Sequence, residues 1–248
     1  MICVQSDLRP LLFCLPGALL DERQFNLQRE ELSDEIQIKV IDYRDTLTAH
    51  PDDRGIERAA TAVGARIAAR SERDVFLCGH SLGGMIAQTV AANYSDHIKG
   101  LILIETSYGP FPPAMRRIAG VFSKAALHLA SWSVMRSSVI KYHGQYSTEA
   151  RTYLSEALPS EEPAHWRSVV EQALVFDGRE ALSAISVPTL LVVGALNRMT
   201  QGQARRMARS IPDASIAEIP EAGHMVNLDR SKAVSAKMRN VCFRNAQQ

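Results

Sequence analysis

The stretch DVFLCGHSLGGMIAQTVAAN, residues 74–93, decides the fold. Val75 to Cys78 is a continuous apolar run, as expected of a strand buried on both faces. From Leu82 to Asn93 the pattern is helical. Between the two halves stands Gly79-His80-Ser81-Leu82-Gly83, a G-x-S-x-G sequence. A strand that turns straight into a helix leaves the serine at the corner in a strained backbone conformation. Glycines two before and two after keep neighbouring Cβ atoms from colliding there. The helix N-terminus favours negative charge developing beside Ser81. The alternative, a serine that only caps a helix, does not account for the paired glycines.

Working outward, the same alternation continues. Apolar strand patterns occupy 11–15, 37–43, 100–105, 189–195 and 214–220, in addition to 74–80. Helical patterns occupy 23–32, 55–70, 82–93, 203–210 and 226–243. Ile56, Ala59, Ala60, Val63 and Ile67 form one apolar stripe at helical spacing. Strand, helix, strand, helix implies an α/β chain with a mostly parallel central sheet and helices on both faces. Residues 110–180 break the rhythm: Pro110, Pro112 and Pro113 open a segment with no strand pattern, read as an inserted helical cap. The core is then 1–109 and 181–248. The plainer reading of the insert is a pair of extra packing helices.

Bulk properties exclude several function classes. With 46% hydrophobic and 22% charged residues, the 248-residue chain is ordinary for a soluble domain. A formal net charge of +1 creates no field for nucleic acid or an anionic membrane. No apolar run approaches the ~20 residues that span a bilayer. The run LLFCLPGALL, 11–20, is broken by Pro16 and Gly17 and reads as strand plus turn, not as a leader. The expected compartment is the cytoplasm. The seven histidines show no metal-ligand spacing, so neither metal nor cofactor is expected. Cys3, Cys14, Cys78 and Cys242 are scattered, and read as small buried apolar residues.

Four motifs together, LPG at 15–17, GHSLGG at 79–84, VPTLLVVG at 187–194 and IPEAGHMVNLDR at 219–230, resemble the α/β-hydrolase superfamily along nearly the whole chain. Such members usually begin with a longer N-terminal hairpin, so fewer strands are expected at that edge. The resemblance implies a serine hydrolase with Ser81 as nucleophile and His224 as base. It also implies an oxyanion hole made by the backbone N–H of Leu82 and of Ala18, with Leu19 as the other choice for the second donor. A neutral imidazole at His224 would take the Ser81 proton during attack and return it to the leaving group. His80 reads as a support of the turn on the substrate side. His143 and the other histidines read as surface or cap residues.

One position departs from this resemblance. Three residues past Gly194, where relatives carry the acid, stands Asn197. A carboxylate-to-amide change in a serine-protease triad lowers turnover about 10⁴-fold. A second place for the acid is the end of the strand after the elbow helix, as in some haloalkane dehalogenases, and Glu105 stands there. Four readings follow: Glu105 orients His224, Asn197 does so as a weaker neutral partner, Asn197 is a substitution introduced into the chain, or the chain has lost turnover. Dehalogenation itself is disfavoured by serine at the elbow, because those enzymes use an aspartate nucleophile.

The insert is rich in apolar residues, among them Phe111, Met115, Phe122, Trp132 and Met135. Walls of a substrate pocket are expected from Leu19, His80 and Met225 beside the motifs and from Phe111, Met115, Phe122 and Trp132 in the cap. An apolar lid over a serine fits a small to medium apolar ester, thioester or lactone. A carbon–carbon bond hydrolase with the same residues, or a small-molecule receptor with a degenerate triad, remain as alternatives. Monomer and homodimer are both open.

Overall fold

The computed structural model describes residues 9–49, 54–70, 74–109 and 116–243. Six strands, β1 (Leu11–Leu15), β2 (Gln37–Val40), β3 (Val75–His80), β4 (Gly100–Ile104), β5 (Thr189–Gly194) and β6 (Ala214–Ile219), form one sheet in the order β2-β1-β3-β4-β5-β6. Every pairing is parallel. The register sets Cys14 beside Cys78, Cys78 beside Ile102 and Ile102 beside Leu190. These are the six strands expected from the apolar runs. β1, β3, β4 and β5 are buried throughout, which is why they read as continuous rather than alternating.

In chain order the helices are α1 (Asn26–Glu31), α2 (Arg44–Thr48), α3 (Gly55–Ala68), α4 (Leu82–Asn93), α5 (Arg116–Leu129), α6 (Trp132–His143), α7 (Thr148–Ala157), α8 (Trp166–Val175), α9 (Arg179–Ala184), α10 (Arg198–Ser210), α11 (Val226–Asp229) and α12 (Ser231–Phe243). Successive strand residues point to opposite faces. Leu11, Leu77, Leu103 and Leu191 therefore pack with α3, α4, α9 and α10, whereas Leu12, Phe76, Ile102 and Val192 pack with Phe25 and Leu32, which flank α1, and with α12. The single closing helix expected over 226–243 is interrupted at Arg230, and α10 begins five residues before the expected start. Cys14, Cys78 and Cys242 are buried and free; Cys3 lies outside the described residues.

The helices α5 to α8 form the insert between β4 and β5. They share a third cluster, with Trp132, Leu154 and Trp166 buried against Leu20 of the loop after β1 and Met225 of the loop after β6. The insert thus sits over the C-terminal ends of the strands. α9 packs on α4 and belongs with the sheet. The chain leaves β1 toward β2 on one side and returns to β3 on the other. The switch point between β1 and β3 is where open sheets of this kind collect ligands. Among the described residues, no helix is long and apolar enough to cross a membrane.

Candidate active site

Ser81 follows β3 and begins α4, with φ 52° and ψ −116°. This is left-handed space, costing a residue with a Cβ roughly 1–3 kcal/mol. The conformation is held from several sides: the Ser81 N–H donates to Ile104 O (2.9 Å), and Thr106 Oγ1 donates to Ser81 O (2.6 Å). The flanking glycines are required by close approach: a Cβ on Gly79 would stand 2.4 Å from Gly83 O, and one on Gly83 2.3 Å from Leu15 O. Of the five described non-glycine residues with positive φ, three are Leu19, Ser81 and Glu105. Each follows a different strand at the same end of the sheet, so the strain is concentrated around one point.

Glu105, 1% exposed, follows β4. Its Oε1 accepts from the Gly194 N–H (2.5 Å), and its Oε2 accepts from Asn197 Nδ2 (2.6 Å) and Thr200 Oγ1 (2.7 Å). The same Oε2 lies 3.4 Å from His224 Nδ1, slightly longer than the ~3.2 Å of a tight N–H···O bond. Asn197 Nδ2 is also 3.4 Å from Nδ1, but its shorter contact is to Glu105. Glu105 and Asn197 are therefore arranged in series, the amide fixing the carboxylate and the carboxylate facing the imidazole. An anion beside Nδ1 selects the tautomer with the proton there, leaving Nε2 with its lone pair. Burial pushes the Glu105 carboxyl above its ordinary range, and the Gly194, Thr200 and Asn197 donors pull it back. Burial brings the His224 pKa down to about 4, so its ring is neutral at neutral pH.

His80 is fully buried, and its Nε2 donates to His224 O at 2.8 Å. Its Nδ1 has no partner and stands where a Cβ on Gly17 would meet it at 2.8 Å. Burial brings its pKa down to about 3. A neutral His80 thus braces the loop that carries His224. The buried Asp229 holds that loop from the other side, its Oδ2 accepting from the Gly223 N–H (2.9 Å) and its Oδ1 from Ser147 Oγ (3.0 Å) at the start of α7. Burial raises the Asp229 carboxyl, against the Gly223 and Ser147 bonds that lower it.

Ser81, His224, Ala18, Leu19, His80, Trp132 and Met225 all line one cavity of about 140 Å³. That is close to the roughly 150 Å³ of a cavity that holds benzene. Among the described residues, the N–H groups of Ala18, Leu19 and Leu82 have no acceptor, while that of Gly17 is taken by Gln24 Oε1 at 2.9 Å. Phe122 does not line the cavity. It is 72% exposed, because α5 packs on α8 through the face that buries Leu127, about 140° around the helix from Phe122. Phe111 and Met115 lie outside the described residues. The wall residues not expected from the sequence are Arg136, Val139 and His143 of α6, with Gly17, Leu20, Leu154, Leu158 and Val170; Met135, named only among the apolar residues of the insert, joins them. Trp132, Met135, Arg136, Val139 and His143 fall at helical spacing, the pattern that would have revealed them. Arg136 caps the end of α7, donating to Leu158 O and Ser155 O (both 2.9 Å). No group of three or more potential metal ligands occurs among the described residues.

A family model described as "Alpha/beta hydrolase family" matches residues 12–237, and the chain belongs to that family. A pimeloyl-[acyl-carrier protein] methyl ester esterase of Chromobacterium violaceum is 31% identical over 176 residues, covering 66% of this chain and 68% of the relative. A putative carbamate hydrolase, RutD, of Azorhizobium caulinodans is 26% identical over 207 residues, 79% of this chain and 77% of the relative. Among solved structures, MenH from S. aureus superposes with a TM-score of 0.79 at 21% identity, covering 97% of this chain and 95% of that one. An enol-lactonase from Burkholderia xenovorans gives 0.77 at 20% identity, covering 94% and 91%.

Proposed function

We propose that the chain is a cofactor-free serine hydrolase that cleaves a small to medium apolar carboxylic ester, thioester or lactone. The observation that carries this reading is the convergence, on one small apolar cavity, of a strained Ser81 and a neutral His224 whose Nδ1 faces a buried carboxylate. His224 Nε2 takes the Ser81 Oγ proton as Oγ attacks the carbonyl carbon. The negative charge formed on the carbonyl oxygen is met by the N–H groups of Ala18 and Leu82 and by the start of α4. Collapse breaks the bond to the leaving group, which takes its proton from His224, and water then releases the acyl group from Ser81. Glu105 keeps Nδ1 protonated and stabilises the imidazolium. The methyl ester esterase named above supports an ester, and the size of the cavity supports a short or slender acyl group.

A fluorophosphonate probe tests this directly. Rapid labelling of the parent at Ser81, absent in Ser81→Ala, is the expected result. A parent that resists the probe while still binding small apolar ligands would instead mark a receptor that keeps the fold without turnover.

A further inference from the structure

The cavity contains a second histidine beside the proposed base. His143 ends α6, and its half-buried ring meets that of His224 with centroids 4.5 Å apart and planes tilted by 41°. It lines the same cavity as Ser81. Among the described residues, neither of its ring nitrogens has a hydrogen-bond partner. Its place is set by the turn that follows: the Gly144 N–H donates to Ile140 O at 3.0 Å, and a Cβ there would stand 2.8 Å from Arg151 Cα of α7. Burial first, and then the neighbouring His224, bring its pKa down to about 4. A neutral imidazole offers one N–H donor and one lone pair. The Arg136 guanidinium on the same wall donates to Leu158 O and Ser155 O, whereas His143 keeps its donor next to the group proposed to handle the proton.

A leaving-group oxygen that takes its proton from His224 must come within about 3 Å of Nε2. A ring in contact with His224 and facing the same cavity is within reach of that oxygen. We propose that His143 is a catalytic hydrogen-bond donor to the leaving-group oxygen, and that it suits the site to esters of aliphatic alcohols. This rests on the Ser81 hydrolase reading. When the tetrahedral intermediate collapses, the carbon–oxygen bond breaks and its electron pair stays on the departing oxygen. The proton on His224 Nε2 moves to that oxygen, while His143 holds it and keeps its own proton. An alkoxide concentrates charge on one oxygen and gains most from a donor. A nitrophenolate spreads its charge over the ring and gains little.

The test compares methyl and 4-nitrophenyl esters of one acyl group. Their acyl-enzymes are identical, so kcat/KM isolates the acylation step. His143→Phe keeps a ring and removes the donor; it should lower kcat/KM for the methyl ester about tenfold or more and leave the 4-nitrophenyl ester within about threefold. His143→Gln should recover part of the methyl ester rate. If the Phe variant melts early, His143→Gln against His143→Met, similar in size and differing in the donor, makes the same comparison. Equal losses on both esters, or an unaffected methyl ester, overturn the proposal. A parent that cleaves neither ester and leaves Ser81 unlabelled overturns the hydrolase reading itself, and this inference with it.

Discussion

The C-terminal edge of the sheet and the helical insert meet at one cavity but are built differently. On the sheet side Ser81 and Glu105 are each fixed by several hydrogen bonds. Ser81 is tied to Ile104 and Thr106, and Glu105 takes three donors from β5, α10 and the loop between them. On the insert side the wall consists mostly of side chains along α6, α7 and α8, packed through Trp132, Leu154 and Trp166. Its outer surface leaves Phe122, Leu129, Val134 and Tyr142 in solvent. A network in which each atom has several partners resists displacement, whereas a side-chain wall can be reshaped one residue at a time. On the proposed reading, reaction geometry belongs to the sheet and selection to the insert.

The largest expected effect comes from breaking the sheet-side network. Glu105→Gln should lower kcat by about 10³- to 10⁴-fold with little change in KM, because an amide cannot stabilise the imidazolium. Steady-state kinetics on an activated ester measures this, and a rate within a few-fold of the parent would remove Glu105 from its proposed role. Asn197→Asp gives the converse: a second carboxylate 2.6 Å from Glu105 Oε2 would bring no gain in rate, because like charges that close cannot both ionise easily. On the insert side, Leu154→Ala should cost about 2–5 kcal/mol by opening a void next to the cavity, read as a fall in Tm and in the chemical denaturation midpoint. Its kinetic effect should depend on acyl size, whereas that of Glu105→Gln should not.

The pH profile sharpens the comparison further. Burial brings His224 down to about 4, so lowering the pH protonates the base only well below the ordinary ~6.5 of imidazole. kcat/KM should stay level through pH 6 and fall only below it, with an apparent pKa that belongs to the His224–Glu105 pair. An acidic limb at 6.5 or above would mean that the insert does not keep water from the base. The smallest effect is expected at the outer face: Phe122→Ser should shift stability by no more than about 0.5 kcal/mol and leave kinetics unchanged.

Much of the fold was legible because burial on both faces writes strands as unbroken apolar runs, as in 75–78 and 189–193. Ser81 and His224 were legible because a strand-to-helix corner needs its glycines and a loop histidine after the last strand stands at a known place in the family pattern. Thr200 was missed, since nothing in its local sequence says that it turns back on a carboxylate 95 residues earlier. Asn197 was framed as a rival of Glu105; the structure makes it the partner that holds Glu105 in place. Phe122 was taken for a wall residue on its apolarity alone, and the face that α5 presents to α8 decided otherwise.

The sequence by itself determined the layering of the chain, the serine corner and the family, because these depend on local periodicity and on residues a few positions apart. Only the tertiary structure decided what surrounds His224. The pairing of β4 with β5 brings together Glu105 and Asn197, 92 residues apart. The packing of the insert over the strand ends then brings His143 to the same ring. Such contacts are set by strand order and by which face of each helix is buried, and neither is written in any short stretch of the chain.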